Sequence, residues 1–397
     1  MLPALMSVML RATTCDVISS WPVIHHLPAF TPSPSSIGRR SQARAFRRRS
    51  SLVKAKTPAA HQKESPSYRF INPYEELKQE DAVQALNPDT ANSPLMLYLP
   101  GMDGTGFSAF TQFPFLSEEF DLTCLSITAN DRSTVQELVQ ATLSHLHQSP
   151  PRPFYLLGES FGAVVALLVA HEIEKAPKDF PGELRGVIIV NPATSFLRSW
   201  WRNYQAFLDR VPSFLFGVAL LPLVFSSVDV TLARDLVQDA LMKAKRIPRW
   251  LKGQPRKEMM ELQERTTPAH MSFLRKAVPI VIRILTVPLP PDTFRWRLRE
   301  WLREGATMAE PILPHVHAPV LIVAGEGDRL LPSREEGERL LKVLPNPSNR
   351  LHSVRGGGHA GTLNVPLNLR ALIRDWEGER SCQKQEVGAS AAGIQRS

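Results

Sequence analysis

Cysteine is scarce in this chain. Cys15, Cys124 and Cys382 are the three among 397 residues, and they lie in segments of unlike character, so neither a disulfide framework nor a zinc site is implied. The usage fits a reducing compartment. Acidic residues are nearly missing from residues 1–60, where Asp16 stands alone against nine lysines and arginines. The whole chain carries 47 basic and 38 acidic residues, so almost all of its net charge of +9 belongs to that leader. An apolar run with a small-residue cleavage site is lacking there too, which disfavours a Sec signal. A nucleic-acid motif is also lacking, so the basic leader is not expected to bind RNA or DNA. The charge-free stretch Val211 to Val228 reaches the length of a membrane span but is interrupted by Pro212, Ser213, Pro222, Ser226 and Ser227 and argues poorly for a transmembrane helix.

What is present in the leader is arginine and serine. Residues 1–60 therefore read as a disordered organellar transit peptide, with plastid and mitochondrion not separable by composition. At the other end, residues 377–397 turn small and polar and are expected to form a disordered tail. Between the two lie about 320 residues, enough for one large α/β core with an inserted subdomain.

The chemistry concentrates at Gly158-Glu159-Ser160-Phe161-Gly162. Before it, Pro153 to Leu157 reads as a buried strand, and after it Ala163 to Ala170 reads as a buried helix. Small residues two positions either side of a serine let the backbone turn sharply between strand and helix and push the Ser160 hydroxyl out of the packed layer. The alternative is an ordinary serine in a glycine-rich turn, so the decision rests on partners. A serine hydroxyl is a weak nucleophile until a base takes its proton, and a neutral imidazole oriented by a carboxylate is that base. Pro319 to Ala324 is a β-rich apolar run that ends in Gly325-Glu326-Gly327-Asp328, which places Asp328 in a loop after a central strand. Arg350 to Val354 reads as the last strand, and Gly356-Gly357-Gly358-His359 follows it. Ser160, Asp328 and His359 thus occur in the order that an α/β-hydrolase fold requires, a mostly parallel central sheet with an inserted helical lid. Singly, Asp328 could be a turn or cap aspartate and His359 a loop histidine.

A fourth element agrees. Pro94 to Pro100 reads as a strand and Gly101-Met102-Asp103-Gly104-Thr105-Gly106 as the loop after it, so the main-chain N–H groups of Met102 and Phe161 are the expected oxyanion-hole donors. Asp103 either orients this loop or forms its turn. Asp121 to Ile127 and Gly186 to Asn191 read as further parallel strands, and Thr134-x-x-Glu137 as a capping box that opens a helix. The core is expected over residues 66–194 and 311–376. Residues 195–310 form an insertion too long for an ordinary crossover, rich in aromatics and in basic clusters such as Lys243-Ala244-Lys245-Arg246. Over a serine nucleophile, Trp200, Trp201 and Phe214 suit a hydrophobic acyl or isoprenoid chain, or else form the insertion's own core. Such a lid would rest peripherally on a lipid surface.

The runs Leu99-Pro100-Gly101-Met102-Asp103-Gly104-Thr105-Gly106, Gly158-Glu159-Ser160-Phe161-Gly162, Gly325-Glu326-Gly327-Asp328 and Gly357-Gly358-His359 together resemble the plant and algal esterase/lipase/thioesterase family that includes the phytyl ester synthases of chloroplasts. The resemblance covers roughly residues 66–376. It implies a plastid, plastoglobule-associated location and acyl transfer on plastid lipids, with phytol or diacylglycerol accepting fatty acyl groups from thioesters or galactolipids. The chain departs from that family's pattern in one respect: no histidine follows His359 and no His-x-x-x-x-Asp occurs, so the acyltransferase-like second half is not represented. Three readings follow. The first is a serine hydrolase of hydrophobic esters or thioesters that needs no cofactor and no metal; the second is an acyltransferase making phytyl esters or triacylglycerol from the same acyl-enzyme. The third is a non-catalytic lipid or hormone binder on the hydrolase fold. An elbow serine in place of aspartate disfavours epoxide hydrolase and haloalkane dehalogenase chemistry.

Overall fold

The computed structural model describes residues 67–73, 76, 93–220, 222, 226, 289–363 and 367–394, the last eleven of these as backbone. The leader of residues 1–60 and the basic cluster Lys243 to Arg246 lie outside the described residues.

Seven strands form one sheet in the order β1-β3-β2-β4-β5-β6-β7. They are β1 (Tyr68–Ile71), β2 (Leu95–Leu99), β3 (Asp121–Ile127), β4 (Phe154–Glu159), β5 (Leu184–Val190), β6 (Val320–Gly325) and β7 (Arg350–Val354). β1 pairs antiparallel with β3 at the edge, and every other pair is parallel. Parallel strands covered on both faces must be apolar throughout, which is why β2, β4 and β6 are buried at every position. The period-2 alternation of a strand then divides them between two layers. Leu95, Leu97, Leu99, Val187, Ile189, Val320 and Ile322 face the layer of helices α1 (Val135–Gln148) and α2 (Phe161–Lys175). Met96, Tyr98, Ile188, Val190, Leu321 and Val323 face Phe113 and Trp376 on the other side.

Local signals agree with this arrangement. Thr134 accepts from the Glu137 amide while the Glu137 carboxylate accepts from the Thr134 amide at 2.8 Å, the reciprocal cap that the sequence suggested for α1. Strand β1 was not anticipated, because four residues on a sheet edge carry too little alternation to register.

Two segments differ from expectation. Helix α4 (Leu369–Ile394) follows α3 (Ser333–Val343) and continues through the segment expected to be a disordered tail. Trp376 anchors it, with its ring buried against Gly186 and its indole N–H donated to the Ser348 carbonyl at 2.8 Å. The Glu, Gln, Lys and Ala residues beyond it are good helix formers, so the helix propagates once it is docked. The described flanks of the insertion also join the central core instead of lying above it: Phe196, Trp201, Leu208, Phe216, Phe294, Leu298, Trp301 and Leu302 belong to the same buried cluster as β2, β4 and α2. Apolar side chains at both ends of an insertion close on the nearest apolar face, here the side of α2 turned away from the sheet. Among the described residues, no helix is long and apolar enough to cross a membrane.

Candidate active site

Ser160 sits between β4 and α2 with φ 53° and ψ −111°. A positive φ on a residue with a side chain is strained, and here the surroundings enforce it. The Ser160 amide donates to the Val190 carbonyl at 2.8 Å, and its own carbonyl accepts from Ala193 at 3.0 Å. The flanking glycines have no substitute. A Cβ on Gly162 would lie 1.9 Å from the Leu99 carbonyl oxygen, and one on Gly158 would lie 2.3 Å from that of Gly162. The elbow can turn only because strand, turn and helix backbones touch at these points.

The loops after β6 and β7 bring the two expected partners to the serine. His359 Nε2 is 3.0 Å from Ser160 Oγ, and its Nδ1 is 2.8 Å from Asp328 Oδ2. With the proton on Nδ1 donated to Asp328, Nε2 is the acceptor for the serine hydroxyl. Asp328 is fixed on both oxygens: Oδ1 accepts from the amides of Leu330 and Leu331 at 2.9 and 3.0 Å, and Oδ2 also accepts from the Ser333 hydroxyl. Burial alone would raise the Asp328 carboxyl, but the charge and hydrogen bond of His359 and the donors Ser333 and Leu331 outweigh it and hold the group below its ordinary value. Burial alone would lower His359; Asp328, with a smaller contribution from the Glu159 charge, reverses this and raises the imidazole above its ordinary 6.5.

Several residues not singled out as site residues hold this triad. Asn191, at the end of β5 with φ 46°, donates its side-chain amide to the carbonyls of Gly358 and His359 and accepts from the Gly325 amide. One side chain thereby fixes the carboxyl end of β6 to the histidine loop. Buried Glu159 accepts from the Tyr98 hydroxyl at 2.9 Å and from the Thr362 hydroxyl at 2.6 Å, which ties the elbow to the segment after His359. Burial raises the Glu159 carboxyl despite these bonds. Only Ser333 had a usable signal in the sequence, since an aspartate followed by a helix start five residues on invites such a contact.

The glycine loop after β2 lies against the elbow: a Cβ on Gly101 would be 3.6 Å from Ser160 Cβ. Asp103 resolves as a turn former, its Oδ2 accepting from the Thr105 amide at 2.8 Å and hydroxyl at 2.6 Å. Met102 is half-buried in this loop, and Phe161 opens α2 directly after the serine. The aromatic residues expected to meet substrate divide. Trp201 is 2% exposed inside the central core, neither over the serine nor in a separate core of the insertion, whereas Phe214 is 83% exposed to solvent. Trp200 is 43% exposed and donates its indole N–H to the Arg329 carbonyl, beside Asp328. Among the described residues, no group of three His, Cys, Asp or Glu side chains could hold a metal ion.

A doubly covered, mostly parallel seven-stranded sheet with a serine elbow, a histidine loop and an acid loop at its carboxyl edge defines a class of protein before any comparison. Residues 96–369 match the alpha/beta hydrolase family, and the chain belongs to it. Within that family it is related to phytyl ester synthases. It is 31% identical over 287 residues to phytyl ester synthase 1, chloroplastic, of Arabidopsis thaliana, a match covering 71% of this chain and 37% of that protein. It is 29% identical over 266 residues to phytyl ester synthase 2, chloroplastic, of the same plant, covering 64% of this chain and 34% of that one. The chain thus spans little more than a third of the length of these relatives. Among solved structures, it is similar to MGS-M2, an alpha/beta hydrolase enzyme from a Medee basin deep-sea metagenome library, with a TM-score of 0.47, 16% identity, and coverage of 78% of this chain and 93% of that one.

Proposed function

We propose that this chain is a serine hydrolase that cleaves carboxylic esters or thioesters of hydrophobic acyl groups through an acyl-enzyme on Ser160. The observation that carries this reading is the continuous relay from Ser160 Oγ through His359 to Asp328, with contacts of 3.0 and 2.8 Å. Ser160 Oγ attacks the acyl carbon and its proton passes to His359 Nε2, while Asp328 stabilises the imidazolium. The oxyanion formed is received by the N–H groups of Met102 and Phe161, for which no hydrogen-bond partner is found among the described residues. Collapse breaks the bond to the leaving alkoxide or thiolate, which takes the proton from His359. Water, deprotonated by the same nitrogen, then attacks the acyl-enzyme, and Ser160 leaves with the proton.

The relation to phytyl ester synthases supports a second reading. In it an alcohol such as phytol or a diacylglycerol replaces water in the second half, making phytyl esters or triacylglycerol with no other change in the relay. The same relation and the composition of the leader support a plastid location, associated with plastoglobules or membranes. Phe214, Leu215 and Val218 are exposed apolar side chains on one flank of the insertion, which suits peripheral contact with a lipid surface.

A fluorophosphonate probe tests the nucleophile, since it reacts only with a serine activated in this way. Labelling of the wild type and none of Ser160→Ala, with loss of p-nitrophenyl ester hydrolysis in a folded variant, is the expected result. Equal turnover by the two proteins would end the reading. Adding phytol to the acylated enzyme and measuring ester against free acid separates transfer from hydrolysis.

A further inference from the structure

The side chain that grips the oxyanion loop comes from the far end of the insertion. Arg297 closes the helix Pro291–Arg297 and is fully buried. Its guanidinium donates to the carbonyls of Met102 at 2.9 Å, Asp103 at 2.8 Å and Thr128 at 2.7 Å. Among the described residues it forms no ion pair with a carboxylate. The Asp103 carboxylate is engaged by Thr105, and that of Asp131 by the amides of Ser67 and Ser133. A buried cation whose hydrogen bonds all go to carbonyls carries a large desolvation cost, and burial lowers Arg297 to about 10, the charges of Asp103 and Asp131 opposing the fall. An apolar side chain would avoid that cost but leave the three carbonyls without this donor, so the guanidinium is there to hold these backbone groups.

Its neighbours suggest what this hold achieves. The guanidinium lies over the Trp301 ring, 4.1 Å from the centroid. Trp301 stacks in turn on the Phe161 ring at 4.7 Å with planes 10° apart, and donates its indole N–H to the Ser133 carbonyl at 2.9 Å. Arg297 therefore holds the carbonyl of Met102, and Trp301 holds the side chain of Phe161, the two residues whose N–H groups are assigned to the oxyanion. Gly104 completes the fit: at φ +73° a Cβ there would lie 2.8 Å from Arg297 Nη1. The positive φ itself calls for glycine there, and Arg297 Nη1 and the Ile127 carbonyl oxygen pack against the side a Cβ would take.

We propose that Arg297, backed by Trp301, is a positioning residue for the oxyanion hole, locking the loop after β2 and the first residue of α2 in one relative geometry. The proposal rests on the hydrolase reading above. It assigns the flank of the insertion a part in transition-state stabilisation that acts through backbone it does not share.

The test is steady-state hydrolysis of p-nitrophenyl butyrate by Arg297→Lys and Arg297→Met, with active sites counted by fluorophosphonate titration. A lysine's compact ammonium does not reproduce the planar fork that spans these carbonyls, and methionine donates to none, so both variants should lower kcat per titrated site by about 10- to 100-fold, less than outright removal of an oxyanion donor. KM should stay within about threefold, because the acyl and leaving groups are not contacted. Affinity for butylboronic acid, whose serine adduct carries the tetrahedral oxyanion, should fall by a factor similar to kcat. The acid limb of the pH profile should not move, since His359 and Asp328 are untouched. A merely structural role would reduce the titratable fraction or the melting temperature and leave kcat per site within twofold of wild type, which overturns the proposal. If neither variant folds, Trp301→Phe loosens the stack while keeping the guanidinium. A several-fold drop in kcat per site at constant KM supports the proposal, and wild-type turnover per site overturns it. Failure of the hydrolase reading is distinct, because the wild type itself would then neither titrate nor turn over.

Discussion

At the scale of single residues, the relation between Asp328 and His359 makes a prediction that depends on sign. In the proposed mechanism the free imidazole is the working base, so activity requires His359 to be deprotonated. Because its pKa is raised above 6.5, the acid limb of kcat/KM should have its midpoint above that ordinary value, activity being lost as pH falls through it. Asp328→Asn removes the anion responsible for most of the increase. The variant should fold, lose on the order of 10³- to 10⁴-fold in kcat through the wrong tautomer, and show a residual rate whose acid limb lies lower. A silent Asp328→Asn, or an acid limb that does not shift, would separate Asp328 from the imidazole. The three residues of this relay were legible because each follows a strand and the order is fixed by the fold. Asn191, Thr362 and Arg297 were not. Each acts across 134 or more residues of sequence, and a single polar side chain gives no local sign of what it will meet.

At the scale of elements, the strands β2, β4, β5 and β6 were readable because burial on both faces forces apolar runs, whereas β3 alternates and β7 is a half-exposed edge strand placed by its position before the histidine loop. The insertion was harder, since an aromatic residue looks alike in sequence whether it covers a ligand or fills a core. The two adjacent tryptophans show the difference. Trp201→Ala should open a cavity in the core and cost about 3 to 5 kcal/mol, lowering the melting temperature by on the order of 10 °C at any chain length of substrate. Trp200→Ala removes a half-exposed ring and one hydrogen bond, and should cost about 1 kcal/mol or less. If Trp200 meets the acyl chain, the variant should lose activity on C16 esters while sparing C4 esters. A C16 chain has twelve more methylenes to bury at up to about 0.8 kcal/mol each, and recovering even a fifth of that changes relative kcat/KM by more than tenfold. Equal losses at both lengths would show that Trp200 acts through Arg329 and the Asp328 loop. Excising residues 195–310 cannot decide this question, because the excised piece contains Arg297 and Trp301.

At the scale of the whole molecule, charge is segregated along the chain. Nearly all of the +9 lies in residues 1–60, and the remainder is close to neutral. A folded core rarely needs such a division, because solubility and long-range steering are served as well by charge spread over its surface. Under the proposed plastid location, this acid-poor, arginine-rich and serine-rich segment would serve instead as an address, read before folding by an import apparatus. Composition cannot choose between the organelles that read such addresses, but the two relatives are chloroplast proteins by name, and that tips the expectation. A fluorescent protein carrying residues 1–60 at its amino end should therefore co-localise with chlorophyll in leaf protoplasts. Replacing Arg47, Arg48 and Arg49 together by glutamine should weaken that import, since it removes three of the nine positive charges while leaving length and serine content unchanged. Diffuse cytosolic fluorescence of the unmodified fusion would remove the address altogether. Fluorescence confined to mitochondria would keep the address and move the enzyme, so that its acyl substrates would have to be sought among mitochondrial lipids.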